Sequence, residues 1–167
     1  MKRILSVIAC AVIMFGCIKE RQTAADLQTG DSIPDFRVEM NDGRVVTDED
    51  LKGETSVIMF FHTSCPDSQQ ALPRVQQLYD EYAPDKALFI LISREEGKED
   101  IESFWNENGL KMPYSAQNDR KVYEKFARTR IPRIYVNDKD GIIRHIFTDD
   151  PVPSYDELKS ALESLIR

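Results

Sequence analysis

A single cysteine in the body of the chain is the residue whose type and position best suit covalent chemistry. Cys65 lies in the segment 63–68 (TSCPDS), where a predicted strand ends and a predicted helix begins. A thiolate is the nucleophile in thiol–disulfide exchange, and the free N–H groups and dipole of a helix N-terminus stabilise that anion. Pro66 suits the first helical turn, because the N–H that proline lacks would have no partner there. We therefore predict that Cys65 is a reactive thiol, with a small buried hydrophobic residue as the alternative interpretation.

Two ionisable residues close to Cys65 add little to this chemistry. His62 favours a thiolate only when it is protonated and faces the sulfur, so a packed or solvent-exposed histidine is the simpler interpretation. Asp67 falls in the predicted first turn of the helix, where a carboxylate is stabilising. Cys65, His62 and Asp67 have no fourth ligand and no regular spacing, so we predict no metal site and no cofactor.

The N-terminus has the features of an export signal. Lys2 and Arg3 precede an apolar stretch at 4–15 that contains one serine, and Gly16 follows as a small residue. This stretch is too short to span a bilayer as a stable helix. We therefore predict a signal peptide at 1–16.

The residue after this signal is a second cysteine, Cys17. The segment 14–17 (MFGC) resembles a bacterial lipobox, which implies cleavage before Cys17 and a lipid on its sulfur. An ordinary signal peptide with an incidental cysteine is the alternative. We predict that residues 17–30 are a lipidated cysteine and a flexible tether, which places the protein in the bacterial cell envelope, anchored to a membrane through lipid.

The charge balance limits the classes of partner. The chain has 22 lysines and arginines against 29 aspartates and glutamates, a formal net charge of −7. Nucleic acids are bound through clustered basic side chains that release counterions, and no such cluster stands out in the sequence. We therefore predict no nucleic-acid partner.

The first half of the chain predicts a hairpin followed by a strand, a helix and a strand. Residues 36–40 and 44–46 flank an Asn-Asp-Gly turn, which is typical of a β-hairpin. The apolar run at 57–61 predicts a strand buried on both faces. Apolar residues then recur at helical spacing after Cys65, and the run at 87–92 predicts a second buried strand.

The second half predicts three helices and a second hairpin. Residues 98–108 have helical spacing and stop before a glycine, and Asn118 or Asp119 can cap a short helix through Phe126. The apolar segments 133–136 and 141–147 flank another turn sequence. A capping box at 154–157 opens a C-terminal helix. The predicted fold class is α/β, with a central mixed β-sheet flanked by helices.

At this point the pattern resembles thioredoxin. The shared features are a cysteine at the start of the first helix, Pro73 within that helix, and Ile131-Pro132 before the last hairpin. The N-terminal β-hairpin and the inserted helix at 98–108 are similar to the TlpA/ResA branch, membrane-anchored thiol-disulfide oxidoreductases of bacterial envelopes. The resemblance covers residues 31–167, which we predict to form one thioredoxin-like domain.

The resemblance implies roles for particular residues. It implies that the Ile131–Pro132 bond is cis and that Pro132 lies against Cys65 as part of the catalytic site. It also implies that Ile131 and Pro66 contact a substrate protein, with the Ile131 backbone available for β-like pairing. The partners it implies are protein disulfides or thiols.

Three positions depart from the family pattern. The second cysteine of the usual Cys-x-x-Cys motif is Ser68, the aromatic residue before the first cysteine is Ser64, and an acidic residue of some members is Ala71. A second thiol normally attacks the mixed disulfide and releases the product, and a hydroxyl cannot replace it. Ser68 can still donate a hydrogen bond to the Cys65 thiolate. We predict monothiol exchange at Cys65, of reductase or isomerase type, with release by an external thiol.

Two other functions remain open from the sequence. The first is a redox-inactive, tethered binding module that uses the groove beside Pro132. The second is a peroxidase similar to the one-cysteine peroxiredoxins, in which a single thiol is oxidised and recycled externally. That family usually has Thr or Ser three residues before the cysteine and Pro seven before, whereas this chain has His62 and Ile58.

Overall fold

A five-stranded mixed sheet forms the centre of the computed structural model, which describes residues 26–166. Seven strands and three α-helices follow one another along this part of the chain: β1 (Arg37–Glu39), β2 (Val45–Thr47), β3 (Ser56–Phe61), α1 (Pro66–Tyr82), β4 (Leu88–Ser93), α2 (Lys98–Asn108), β5 (Tyr114–Ser115), β6 (Arg133–Asn137), β7 (Ile143–Phe147) and α3 (Tyr155–Ile166). The strand order in the central sheet is β5-β4-β3-β6-β7, and β1 and β2 form a separate hairpin. This is the thioredoxin-like arrangement that the sequence predicts.

The middle strand explains the long apolar run in the sequence. β3 pairs in parallel with β4 and antiparallel with β6, so it has a neighbour on both sides. All six of its residues are buried. A strand covered on both faces must be apolar throughout, because its alternating side chains enter two different cores.

Two cores cover the two faces of the sheet. Met59 and Phe61 of β3 point into a core shared with α1 and α3, where Leu72 and Leu158 are fully buried. The opposite face of β3 contributes Phe60 to a second core that contains no α-helix. That second core is covered by the hairpin, by the segment around Phe36 and by the residues near Phe126.

The structure corrects the predicted helix through Phe126. Only a short 3-10 helix, Tyr123–Lys125, forms there. Tyr123 and Phe126 still point into the second core as predicted. A three-residue 3-10 segment is enough to bury two aromatic rings without a longer helix. β5 is a further element that the sequence did not predict.

The ordered fold includes residues that the sequence analysis places in the tether. Leu27 N–H donates to the Phe126 carbonyl at 2.9 Å, and Gly30 N–H donates to the Ile143 carbonyl at 2.8 Å. Asp26 forms an ion pair with Arg133 at 2.9 Å. Residues 26–30 are therefore bonded to the domain, whereas the predicted signal peptide and Cys17 lie outside the described residues.

No helix within residues 26–166 combines the length and the apolar composition that a membrane crossing requires.

Candidate active site

Cys65 lies in the turn that connects β3 to α1. It is the N-cap residue of α1, and Pro66 is the first residue of that helix. The Cys65 N–H donates to the His62 carbonyl at 3.0 Å, and the Gln69 N–H donates to the Cys65 carbonyl at 2.9 Å. Cys65 as a residue is partly exposed, and its N-cap position places it next to the N–H groups at the start of the helix that have no partner within the helix.

The structure brings Cys65 and Ile131-Pro132 together, although they are far apart in the sequence. The Ile131–Pro132 peptide bond is cis. The Cys65 thiol donates to the Ile131 carbonyl oxygen, with 3.6 Å between sulfur and oxygen. Ile131 is 7% exposed and is buried in the second core.

The loop before Pro132 is held in an unusual backbone conformation. Arg130 has a φ of 74°, in the left-handed region that residues other than glycine rarely adopt. The Tyr123 hydroxyl donates to the Arg130 carbonyl at 2.8 Å, and burial raises the pKa of Tyr123, so this donor keeps its proton. The Arg130 side chain is exposed and pairs with Asp149 at 3.1 Å. Tyr123 therefore fixes the backbone next to the proline.

A buried ion pair anchors the other side of this loop. Arg133 is 5% exposed, and its Nη1 atom lies 2.9 Å from an Asp26 carboxylate oxygen and donates to the Thr129 carbonyl at 3.1 Å. The second Asp26 oxygen accepts a hydrogen bond from the Arg128 N–H at 2.7 Å. Asp26 thus bonds to residues on both sides of Pro132.

Ser68 occupies the position of the resolving cysteine but does not contact the sulfur. Its side chain is fully buried, and its hydroxyl accepts a hydrogen bond from the His62 N–H at 3.4 Å. Within the described residues no hydrogen bond joins Ser68 to Cys65. The hydroxyl faces the end of β3 instead, so the predicted bond to the sulfur is not formed in this structure.

Glu96 is a residue of the site that sequence reasoning missed. It follows β4, is 6% exposed, and its carboxylate accepts hydrogen bonds from the N–H and the hydroxyl of Thr63. One of its oxygens lies 3.4 Å from Nδ1 of His62. An acidic residue in a predicted loop gives no sequence signal of burial, because most such residues are solvated.

The structure gives no arrangement for a metal ion around Cys65. Across residues 26–166, no cluster of three or more His, Cys, Asp or Glu side chains has the proximity that metal binding needs. His62 approaches Glu96 and Ser64 rather than completing a ligand set with Asp67.

A cleft of about 420 Å³ lies at the other end of the sheet from Cys65. It is mostly apolar, and Met40, Val46, Tyr79, Pro84 and Leu88 are among its lining residues. Leu88 begins β4 and pairs with Ser56 at the start of β3, whereas Cys65 follows the end of β3. The cleft is therefore separate from the thiol.

Two curated relatives of this chain have names that refer to thiol–disulfide or thioredoxin-like proteins. It is 27% identical over 115 residues to the thiol-disulfide oxidoreductase ResA of Bacillus thuringiensis (strain Al Hakam), a match that covers 69% of this chain and 66% of the relative. It is also 27% identical over 124 residues to the thioredoxin-like protein YneN of Bacillus subtilis, covering 72% of this chain and 71% of that protein. The chain thus spans just under two thirds of the length of ResA.

A solved structure shows the same fold. The thiol:disulfide interchange protein, a thioredoxin family protein from Chlorobium tepidum, superposes with a TM-score of 0.71 at 20% sequence identity, covering 86% of this chain and all of the other. At this identity the likeness establishes the fold alone. The family model described as AhpC/TSA matches residues 29–146, and this chain belongs to that family.

Proposed function

We propose that this protein is a thiol–disulfide oxidoreductase of the thioredoxin-like type in which Cys65 is the only nucleophile. The observation that carries the proposal is the position of the Cys65 sulfur. It is partly exposed at the start of α1 and 3.6 Å from the Ile131 carbonyl oxygen, beside Pro132. The names of the relatives ResA and YneN support the reaction class.

The reaction has two steps in this proposal. The Cys65 thiolate attacks one sulfur of a substrate disulfide, a Cys65–substrate disulfide forms, and the second substrate sulfur leaves as a thiolate that takes up a proton. An external thiol then attacks the substrate sulfur of the mixed disulfide and forms a new disulfide with it, and Cys65 leaves as a thiolate. The net result is that one substrate sulfur is released as a thiol, the other is joined to the external thiol in a new disulfide, and Cys65 is regenerated.

Ser68 explains why an external thiol is needed. The residue one helical turn after Cys65 has a hydroxyl where a dithiol enzyme has the resolving thiol, and Cys65 is the one cysteine among the described residues. The Pro132 loop and Pro66 then form the surface on which a substrate chain lies. The Ile131 carbonyl, once released by the thiol, is the backbone group that can pair with it.

We also propose that the protein is an envelope lipoprotein, anchored through Cys17. The support is the signal-like sequence at 1–16 together with the lipobox resemblance. Asp26 bonds to Arg133 and Arg128 beside Pro132, at the end of the sheet that bears Cys65. Substitution of Cys17 by alanine should move the protein from the membrane fraction to the soluble fraction. A wild-type protein that is already soluble would contradict the anchor.

Oxidised glutathione provides a test of the exchange reaction. The full chain is incubated with it at neutral pH, and the peptide that carries Cys65 is analysed by mass spectrometry. We expect one glutathione on Cys65, which persists until reduced glutathione is added. A Cys65→Ala variant is the control and should remain unmodified with the same fold, because the side chain lies at the surface of the second core.

The alternatives give different outcomes in this experiment and in a parallel assay with hydrogen peroxide. A thiol that stays unmodified while folded, but reacts after denaturation, would overturn the exchange reaction and favour the binding module. Rapid consumption of hydrogen peroxide with sulfenic acid at Cys65, without glutathione exchange, would favour the peroxidase.

A further inference from the structure

Glu96 is a buried carboxylate to which the proposed exchange reaction gives no role. Its side chain is 4% exposed. Its backbone is fixed at two points, since the Ser93 hydroxyl donates to the Glu96 carbonyl at 3.0 Å and the Gln117 N–H donates to the same oxygen at 3.2 Å. The carboxylate is therefore held at a defined place after β4.

The carboxylate contacts the turn that leads into Cys65. The Thr63 N–H donates to one of its oxygens at 2.8 Å, and the Thr63 hydroxyl donates to the other. His62 and Cys65 are the ends of this turn, because the Cys65 N–H donates to the His62 carbonyl at 3.0 Å. Such a turn keeps the two Cα atoms within about 7 Å of each other. Glu96 thus fixes the residues immediately before the thiol.

The charge of Glu96 has one partner. Within the described part of the chain its ion-pair contact is His62 Nδ1 at 3.4 Å, and no lysine or arginine makes such a contact with it. An ionised carboxylate that is removed from water is costly unless a positive charge compensates it. The imidazole is 24% exposed and also lies within 3.0 Å of the Ser64 hydroxyl. Glu96 and His62 therefore form an ion-pair contact that is largely removed from water.

Other charged groups lie near this pair. Arg94 pairs with Glu95 at 2.5 Å, and Arg120 lies 3.7 Å from Glu95. Asp67 is the carboxylate in the first turn of α1.

We propose that Glu96 is a positioning residue for Cys65, which fixes the preceding turn through Thr63 and holds a carboxylate, paired with His62, next to the turn that bears the thiol. This deepens the proposed function, on which it rests, because it concerns the reactivity of the same sulfur. A negative charge near a thiol opposes formation of its thiolate, and a positive partner for that charge weakens the effect.

The test is the alkylation rate of Cys65 by iodoacetamide as a function of pH. The full chain is used, and mass spectrometry of the Cys65 peptide separates this thiol from the others. Glu96→Gln should move the midpoint of the profile to lower pH, by on the order of half a pH unit, because the negative charge is gone. His62→Gln should move it to higher pH, because the Glu96 carboxylate then loses its ion-pair partner.

The neighbouring residue is the matched control. Glu95→Gln removes an equal charge that pairs with Arg94, and it should leave the midpoint unchanged. An unchanged midpoint for Glu96→Gln would overturn the proposal, and so would shifts of equal sign for Glu96→Gln and His62→Gln, which indicate a loosened turn. If Glu96→Gln does not fold, the test rests on His62→Gln, because His62 is only partly buried. An unchanged midpoint for that variant overturns the proposal.

The assay needs no disulfide substrate. Failure to exchange with glutathione would therefore contradict the proposed function, and the alkylation profile would still test the role of Glu96.

Discussion

Two loops meet at the candidate site, and they are held in different ways. The turn that bears Cys65 depends on a buried acid, Glu96, whereas the loop that bears Pro132 depends on a buried base, Arg133. The Cys65 turn carries the thiol, and the Pro132 loop contributes the Ile131 carbonyl oxygen that accepts its hydrogen bond. In the proposed mechanism the first loop therefore determines reactivity and the second determines geometry.

The largest expected loss of stability comes from the Asp26–Arg133 ion pair, which anchors the Pro132 loop. Asp26→Asn removes the charge that compensates Arg133, which is 5% exposed. Leaving the buried Arg133 charge without this partner costs up to about 3 kcal/mol, because the Asp26 side chain is itself 29% exposed. We expect this loss in the free energy of unfolding, measured by urea denaturation.

An exposed pair provides the control for that variant. Lys125 lies 3.2 Å from Asp35, whose side chain is 93% exposed. Asp35→Asn should cost less than about 1 kcal/mol, because water already screens the pair. Equal losses for Asp26→Asn and Asp35→Asn would contradict the anchoring role of Arg133.

A smaller effect is expected from the hydroxyl that fixes the backbone of Arg130. Tyr123→Phe removes the donor to the Arg130 carbonyl and should lower the free energy of unfolding by about 1 kcal/mol. It should also slow formation of the glutathione adduct on Cys65, because the facing loop is less well fixed.

A second buried tyrosine, Tyr135, provides a control that separates the loss of stability from the position of the Pro132 loop. The Tyr135 hydroxyl donates to the Phe126 carbonyl at 3.2 Å, away from the Arg130 backbone. Tyr135→Phe should cost a similar amount of stability without slowing the adduct. If both variants slow it equally, the effect of Tyr123 is one of stability alone.

A turn at the far end of β6 should affect stability to a similar extent but should have no effect on Cys65. Asp138 accepts hydrogen bonds from the N–H groups of Asp140 and Ile142, each at 3.0 Å, and pairs with Arg144. Burial by itself would raise the pKa of Asp138, but these hydrogen bonds and the Arg144 guanidinium hold it below its ordinary value. The stabilisation is therefore present above the pKa of an unfolded aspartate and is lost as the pH falls through the lower folded value.

Urea denaturation at a series of pH values checks this sign. Asp138→Asn should lower stability by about 1 kcal/mol at neutral pH, and the difference from wild type should vanish under strongly acidic conditions. The reactivity of Cys65 should not change. A difference that grows as the pH falls would contradict this account of the turn.

The sequence predicts the parts of this molecule that depend on local patterns. The buried run at 57–61, the α2 boundaries and the cysteine at a helix start are encoded in residues that are neighbours along the chain. Gly109 ends α2 in the left-handed conformation, as its type indicates. Local patterns are enough here, because each element forms from its own periodicity and caps.

The contacts that fix the site could not be predicted in this way. Asp26 lies in a polar stretch that resembles a tether, and only the distant Arg133 makes it structural. Glu96 is one acid among many and becomes buried because Thr63 provides two donors from another strand end. The helix predicted up to Phe126 fails for a related reason, since aromatic packing in the second core determines that segment rather than helical propensity.

The central claim is that Cys65 exchanges disulfides without an internal partner, and the rate at which its glutathione adduct is released tests it most directly. The comparison is between wild type and a Ser68→Cys variant, both without external thiol. We predict that the wild-type adduct persists, whereas the variant releases glutathione and forms an internal disulfide with Cys65. Release from wild type at the same rate as from the variant would contradict the account.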